Sequence, residues 1–140
     1  RFATVQQARE AGLEVCSGGL VGLGESAEDI ADLLISLGDV KADSIPINFF
    51  NPRPGTPLAD HPPLEPMRAL RILAVTRLVH PKADVRAAGG REAVLGPLQP
   101  LALFAASSIF SNGYLTTAGQ SFPEDEAMIR AVGYRVAGYE

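Results

Sequence analysis

Four short apolar segments alternate along the chain with amphipathic helical segments, and this alternation is the strongest constraint on the fold. The segments start near residues 13, 44, 83 and 107, and a predicted helix follows each one. Repeated strand–helix units predict a parallel sheet, because parallel strands need a crossover connection. The sequence therefore predicts an α/β fold of four βα units, either an open doubly wound sheet or half of an eight-unit (β/α)8 barrel. In both architectures functional side chains lie at the carboxyl ends of the strands.

Local capping and breaking signals set the limits of these segments. The predicted strands cover residues 13–21, 44–50, 83–87 and 107–110, and the predicted helices cover 2–11, 27–38, 66–80, 91–106 and 124–132. Ser26 and Asp29 have the spacing of a capping box. Leu78 belongs to the predicted apolar stripe of the third helix. Pro97 and Pro100 are expected to kink or delay the fourth helix.

Composition limits the classes of function. Twelve Lys and Arg against sixteen Asp and Glu give a net charge of −4. Neither half of the chain is a basic patch, so nucleic-acid binding lacks its electrostatic driving force. Hydrophobic residues make up 46% of the 140 residues, which predicts a globular domain. The one cysteine excludes an internal disulfide framework and a self-contained zinc site, and it indicates a reducing, cytoplasmic compartment.

The sequence predicts neither a targeting segment nor a membrane span. Residues 93–123 lack charge, but prolines and polar side chains interrupt them, and a span needs about 20 predominantly apolar residues. The amino terminus has no basic region followed by an apolar stretch. Because the chain opens at Arg1 within a predicted helix and its first methionine is Met67, we expect it to be part of a longer protein.

A glycine-rich segment between the first strand and the next helix has more than one interpretation. Gly22, Gly24 and Ala27 match the G-x-G-x-x-G/A fingerprint of dinucleotide sites, where backbone approaches a pyrophosphate. Such a site needs an acidic residue at the end of the second strand, and Asp43 has the spacing but precedes that strand. Alternatively, the glycines serve only a tight turn and close strand–helix packing.

A third interpretation uses an overlapping set of residues. Gly18, Leu20, Gly22 and Glu25 are similar to the G-x-I-x-G-x-x-E motif of radical S-adenosylmethionine enzymes. In those enzymes the motif presents an aliphatic side chain and backbone to an adenine ring. Leu20 stands where the family commonly has Ile, which is a mild change for such a contact.

Cys16 lies two residues before these glycines, within the first predicted strand. A lone cysteine is most often a small buried hydrophobic residue. A nucleophilic cysteine needs a histidine partner, but His61 lies in a proline-rich loop and His80 at a helix end. We therefore do not expect a Cys–His dyad.

Three further polar residues lie in or after the second and third strands. Arg86 is unusual in a strand because its charge is costly to bury unpaired, and its structural alternative is an ion pair with Asp84 or Glu92. Asn48 offers an amide to a urea-like ligand, or else bonds the neighbouring loop backbone. Arg91 is interpreted as an ordinary loop residue.

Taken together, several segments resemble the biotin synthase family of radical S-adenosylmethionine enzymes. They are VCSGGLVGLGE at 15–25, IPIN at 45–48, PGTPL at 54–58, VR at 85–86 with GRE at 90–92, and SIF at 108–110 with LTT at 115–117. Their spacing is consistent from residue 1 to about 135. Residues of about 42–136 resemble the biotin and thiamin synthesis associated region.

The resemblance implies that residues 1–140 are the carboxyl-terminal half, about four βα units, of a radical S-adenosylmethionine (β/α)8 barrel. Such enzymes insert sulfur into dethiobiotin to form biotin. A 4Fe–4S cluster cleaves S-adenosylmethionine to a 5′-deoxyadenosyl radical that abstracts hydrogens, and a 2Fe–2S cluster supplies the sulfur. The implied partners are the amino-terminal half of the barrel, a reductase as electron donor and, for the full-length protein, a second copy. No nucleic acid or membrane partner is implied.

The resemblance also implies roles for individual residues. Cys16 and Arg86 correspond to ligands of the 2Fe–2S cluster, with Arg86 as its unusual fourth ligand. Asn48 corresponds to a residue that hydrogen-bonds the ureido ring of dethiobiotin. Leu20 and the residues of its motif correspond to the S-adenosylmethionine side of the site.

The sequence departs from the family pattern in several places. The C-x-x-x-C-x-x-C loop of the 4Fe–4S cluster and the two other cysteines of the 2Fe–2S site are absent. We therefore expect the isolated chain to be inactive, and its uncovered strand edges to favour aggregation. Residues 106–110 read ASSIF where the family usually has Ala-Asn-Ser-Ile-Phe, which leaves the side-chain role of Ser107 open.

Two alternatives remain at this stage. One is another radical S-adenosylmethionine enzyme with the same barrel, although Cys16 together with Arg86 favours biotin synthase. The other is a non-catalytic nucleotide-binding α/β domain that uses Gly22, Gly24 and Ala27.

Overall fold

The computed structural model describes residues 2–114 and 117–138. Helices and strands alternate along them, as the sequence predicts. The helices are α1 (Phe2–Glu10), α2 (Ala27–Asp39), α3 (Pro66–Val79), α4 (Arg91–Leu95), α5 (Gln99–Ala102) and α6 (Phe122–Ala131), with a 3-10 turn at Gly96–Leu98. The strands are β1 (Gly19–Val21), β2 (Ser44–Phe49), β3 (Asp84–Ala87) and β4 (Ser108–Ile109).

Within the described residues the strands form one four-stranded sheet in the order β1-β2-β3-β4. Each neighbouring pair is parallel, with Leu20 opposite Asn48, Pro46 opposite Arg86, and Arg86 opposite Ser108. Strand order thus follows chain order without the reversal that defines a doubly wound sheet. The sequential parallel sheet confirms the predicted α/β class.

The two faces of the sheet differ in burial. One face packs against α2, α3, α4 and α5 in a single hydrophobic core. Its strand residues are Val21, Ile45, Ile47, Phe49, Val85 and Ala87. The alternate positions point to the opposite face, because successive side chains of a strand alternate. We call this second face the open face; Leu20, Pro46, Asn48, Asp84 and Arg86 lie on it, and all are partly or fully exposed. Helices on one face are typical of a barrel wall, whereas a doubly wound sheet has them on both.

Several local signals have the predicted effect. The Ser26 side chain accepts from the backbone N–H of Asp29, and the Asp29 carboxylate accepts from that of Ser26, so the capping box is formed. The predicted helix at 91–106 is interrupted, since Gly96 adopts a φ of 48° and a 3-10 turn that contains Pro97 follows α4. No helix among residues 2–114 and 117–138 is long and apolar enough to cross a bilayer.

Two local predictions differ from the structure. The first strand was expected over 13–21, but β1 covers three residues, and Cys16 joins the sheet through an isolated bridge to Ser44. Leu78 is 78% exposed, because α3 buries the ridge formed by Ala69, Ile72, Leu73 and Thr76 instead.

Candidate functional site

The predicted site residues of three strands lie on the open face, in rows across the sheet. Cys16 pairs with Ser44, which pairs with Asp84. Two residues further along these strands, and on the same face, Arg86 lies opposite Pro46 and Ser108. Paired residues of neighbouring strands project to the same face, so the Cys16 thiol and the Arg86 side chain share one surface. With strands about 4.8 Å apart, two strand spacings of roughly 10 Å separate their backbones.

Arg86 is anchored through one end of its guanidinium. Its Nε donates to Oδ2 of Asp84 at 2.6 Å, and the hydroxyl of Ser108 donates to the other carboxylate oxygen at 3.0 Å. The pair is partly exposed, at 38% for Arg86 and 32% for Asp84. This is one of the two ion pairs considered from the sequence. It leaves both terminal NH₂ groups of Arg86 without a hydrogen-bond partner among the described residues.

Asn48 lies on the same surface, one row nearer the carboxyl ends of the strands. Its Oδ1 accepts from the backbone N–H of Gly89 at 3.0 Å, and its Nδ2 donates to the carbonyl of Gly19 at 3.4 Å. The side chain therefore bonds neighbouring backbone, as its structural alternative predicts. An amide has two donor hydrogens and two acceptor lone pairs, so one of each remains for a ligand.

The glycine segment forms a tight turn at the carboxyl end of β1. A Cβ at Gly18 would lie 1.9 Å from the carbonyl oxygen of Pro46, so no other residue fits there. Gly22 has a φ of 99°, in the left-handed region that glycine favours. Leu20 lies in β1 just before this turn; strand alternation places it on the open face, where it is 48% exposed.

The carboxylate of Glu25 closes this turn. It accepts from the backbone N–H groups of Gly22 and Leu23, each at 2.7 Å. Burial alone raises the pKa of Glu25, but these N–H groups, its own N–H and the charge of Arg68 outweigh it and lower the pKa. A pyrophosphate would need the same two N–H groups. The internal carboxylate thus opposes the dinucleotide interpretation of Gly22, Gly24 and Ala27.

The histidines have partners away from Cys16. The ring of His61 packs edge-on against Phe50, with centroids 5.6 Å apart. Nε2 of His80 lies 2.9 Å from the carbonyl oxygen of Leu34. Cys16 itself is exposed and free. Among the described residues no group of three or more His, Cys, Asp or Glu side chains has a metal-binding arrangement.

Arg91 corrects the sequence interpretation, which made it an ordinary loop residue. Its side chain is 0% exposed and bonds four acceptors on different elements. Nη2 donates to Oδ1 of Asp125 at 3.0 Å, to the carbonyl of Phe110 at 3.1 Å and to Oε1 of Glu92 at 3.1 Å, and Nη1 donates to Gln99. No local sequence pattern predicts that Arg91 joins these elements, because its acceptors are up to 34 positions away.

A cavity of about 350 Å³ adjoins Asn48 at the carboxyl ends of β2 and β3. Its wall comes from the loop after β2, the Gly89-Gly90 turn and the segment after β4. The lining residues are Asn48, Asn51, Arg53, Gly89, Gly90, Glu92, Ala93, Tyr114, Thr117 and Ala118. Thr117 of the LTT stretch at 115–117 lines this cavity, and residues 115 and 116 lie outside the described part of the chain.

Comparison with known families identifies the domain. The family model described as the Biotin and Thiamin Synthesis associated domain matches residues 46–135. The chain belongs to this family. The match begins in β2, so it includes Asn48 and Arg86, while Cys16 and the glycine turn precede it. It also includes the Arg91 cluster, by which we mean Arg91 with its partners Glu92, Gln99, Phe110 and Asp125.

Similarity to biotin synthases extends over nearly the whole chain. The biotin synthase of Salinibacter ruber is 52% identical over 134 residues, which are 96% of this chain and 37% of that protein. Biotin synthase of Streptomyces coelicolor is 50% identical over 99% of this chain and 34% of its own length. Biotin synthase of Bacillus subtilis strain 168 is 45% identical over 100% of this chain and 42% of its own length. These similarities confirm the predicted resemblance, and the chain spans about two fifths of the length of these relatives.

Proposed function

We propose that this Biotin and Thiamin Synthesis associated domain is the carboxyl-terminal part of a cytoplasmic biotin synthase that converts dethiobiotin to biotin. The observation that supports this most is the open face. It gathers a free thiol, an arginine with two unbonded NH₂ groups and an amide with spare bonding capacity, while the other face holds the apolar core. A surface of this kind is what a barrel interior presents to a ligand at the carboxyl ends of its strands.

The proposed barrel requires further strands beside β1 and β4. Four parallel strands with helices on one face have two edges, and closure into a (β/α)8 barrel pairs both. An amino-terminal half of the same protein is the proposed partner in this closure. A reductase as electron donor and a homodimer of the full-length protein are parts of the same proposal.

The open face fits two of the four ligand positions of a 2Fe–2S cluster. Cys16 offers a thiolate, the usual ligand of such clusters. Arg86 is held by Asp84 through Nε, and its terminal nitrogens have no hydrogen-bond partner among the described residues. The hydroxyl of Ser44, between Cys16 and Asp84 in the sheet, is buried and has no hydrogen-bond partner among the described residues. The Ser44 hydroxyl could therefore donate to an acceptor atom of a bound group between Cys16 and Asp84.

The remaining ligands must come from outside these 140 residues, because Cys16 is their one cysteine. The same holds for the 4Fe–4S cluster. When bound, S-adenosylmethionine with the 4Fe–4S cluster supplies the hydrogen-abstracting radical, and the 2Fe–2S cluster supplies sulfur. The chain's own residues position these groups and the substrate.

The substrate and S-adenosylmethionine are proposed to meet above the ends of β1 and β2. Leu20 offers an exposed aliphatic side chain to the adenine. Gly18 allows the close approach of the chain to Pro46 of β2, and Gly22 and Glu25 form the turn that follows Leu20. Asn48, paired with Leu20 in the sheet, offers one donor and one acceptor to the ureido ring of dethiobiotin. The pairing of Leu20 with Asn48 supports neighbouring positions for the two molecules in this proposal.

The first experiment tests the reaction. The full-length protein, purified and reconstituted without oxygen, is incubated with S-adenosylmethionine, a reductant and dethiobiotin, and biotin is measured. We expect biotin to form. Cleavage of S-adenosylmethionine without biotin would favour another radical enzyme of the same barrel. Binding of NAD with no cleavage would favour the nucleotide-binding alternative.

The second experiment tests the ligand assignment. Replacing Arg86 with Met in the full-length protein should alter the visible absorption of the 2Fe–2S cluster. Arg71→Met removes the same charge from the exposed surface of α3 and is the matched control. An unchanged spectrum in Arg86→Met would reject Arg86 as a ligand.

A further inference from the structure

The segment between β4 and α6 forms one wall of the Asn48 cavity, and it is fixed at several points. Two backbone hydrogen bonds fold it back on itself: Asn112 N–H donates to Gln120 O at 3.1 Å, and Tyr114 N–H to Thr117 O at 2.9 Å. We call residues 111–114 and 117–121 the Tyr114 loop. Tyr114, Thr117 and Ala118 of this loop line the cavity.

Glu92 holds the Tyr114 loop against α4. Its Oε2 accepts from the Tyr114 hydroxyl at 2.8 Å, and its Oε1 accepts from the backbone N–H of Gln120 at 3.2 Å. One carboxylate therefore joins two points of the loop that are six positions apart. The Tyr114 hydroxyl also lies 3.3 Å from the carbonyl of Ala88, next to the Gly89 amide that bonds Asn48.

Arg91 fixes Glu92 in turn. Its buried guanidinium donates to Glu92, to the carbonyl of Phe110 at the start of the loop, and to Asp125 in α6 after the loop. Two consecutive residues at the start of α4 thus bond the residue before the loop, two points within the loop and the helix after it. The pKa of Tyr114 is raised by burial, by its hydrogen bond to Glu92 and by the charge of Glu92, so the phenol stays protonated and remains a donor.

We propose that Glu92 and Tyr114 are positioning residues that hold the Tyr114 loop as the wall of the Asn48 cavity and so determine the affinity for the urea-containing substrate. This inference rests on the proposed function, because it takes dethiobiotin as the molecule in that cavity. Neither side chain needs to touch the reacting atoms. Their effect is on the shape of the cavity opposite Asn48, and it is separate from the S-adenosylmethionine side at β1.

The test measures binding of two ligands to the full-length protein. Tyr114→Phe removes one hydroxyl and keeps the aromatic ring, so the protein should fold. Because a hydrogen bond of this kind contributes modestly, the dissociation constant for dethiobiotin should rise about threefold to tenfold. The dissociation constant for S-adenosylmethionine should stay unchanged. Glu92→Gln, which weakens two loop contacts at once, should shift dethiobiotin binding in the same direction and further.

Tyr134→Phe is the matched control, since Tyr134 packs against Phe104 and lies outside this cavity. It should change neither constant. Unchanged dethiobiotin binding in both Tyr114→Phe and Glu92→Gln would overturn the inference. An equal weakening of dethiobiotin and S-adenosylmethionine binding would also overturn it, because it indicates general destabilisation. If the unmodified protein binds S-adenosylmethionine but not dethiobiotin, the proposed function itself fails and the inference with it.

Discussion

Arg86 and Arg91 lie five positions apart, at either side of the end of β3, and they are opposites in environment. Arg86 is 38% exposed and bonds one carboxylate through Nε. Arg91 is 0% exposed, and both of its terminal nitrogens donate to oxygen acceptors. The first lies on the open face of the sheet, and the second joins α4, α5, the end of β4 and α6.

The difference shows which arginine has bonding capacity left for a ligand. The terminal nitrogens of Arg91 hold neighbouring elements together, so its charge is part of the fold. Those of Arg86 have no partner among the described residues, so its charge is available. Burial alone does not identify the available charge, because the more buried arginine has the structural role. Three predictions test this contrast.

The largest expected effect is on stability. Arg91→Met leaves Asp125 as a buried, uncompensated carboxylate, and breaking a buried pair in this way costs about 3–5 kcal/mol. Arg86→Met removes a partly exposed pair and should cost about 1 kcal/mol or less. Urea unfolding of the two full-length variants, followed by circular dichroism, measures the difference.

A double variant separates the lost pair from the lost packing. Arg91→Met combined with Asp125→Leu removes both charges, so it should be more stable than Arg91→Met alone. If Arg91→Met and Arg86→Met lost equal amounts of unfolding free energy, the proposed distinction between a structural and an available arginine would be wrong.

Asp84→Asn keeps the shape of the side chain but removes its charge. Its effect on stability should be smaller than that of Arg91→Met. Arg86 then loses its charge-assisted hydrogen bond and its fixed orientation. We expect biotin formation to fall by about tenfold, in line with one such bond. The 2Fe–2S absorption should change in the same direction as in Arg86→Met, with little change in urea midpoint.

Ser108→Ala is the graded control for Asp84. Its hydroxyl bonds the other oxygen of the Asp84 carboxylate, so its removal should affect the cluster spectrum less than Asp84→Asn does. A spectrum unaffected by Asp84→Asn, alongside one altered by Arg86→Met, would show that Arg86 needs no anchor.

Features that depend on residues close in sequence could be predicted from the sequence. The βα alternation, the Ser26 capping box and the break at Pro97 depend on neighbouring residues, and the sequence predicted each of them. The Asp84–Arg86 pair is two positions apart in one strand, and it was one of two alternatives considered.

The Arg91 cluster could not be predicted in this way. Three of its four acceptors come from α5, the residue after β4 and α6, and only tertiary packing brings them to Arg91. Likewise, the exposure of Leu78 follows from which ridge of α3 meets the sheet, which helical periodicity does not determine. The hydrogen bonds between Glu25 and the amides of Gly22 and Leu23 depend on the exact path of the turn. Sequence spacing alone had left a phosphate site possible there.

The smallest expected effect on stability concerns Glu25. It is a third kind of charged group, because its partners are backbone N–H groups. Its pKa is lowered in the folded protein, so it stabilises the turn at a pH above its ordinary value of 4.5, and this contribution is lost as pH falls through the lowered pKa. Because the carboxylate is partly exposed, Glu25→Gln should cost less than about 1 kcal/mol at neutral pH. The stability gap between the two proteins should narrow below pH 4.5. Glu28→Gln, at an exposed position in α2, is the control. A gap that is constant from pH 7 to pH 3 would mean that the turn does not depend on the charge of Glu25.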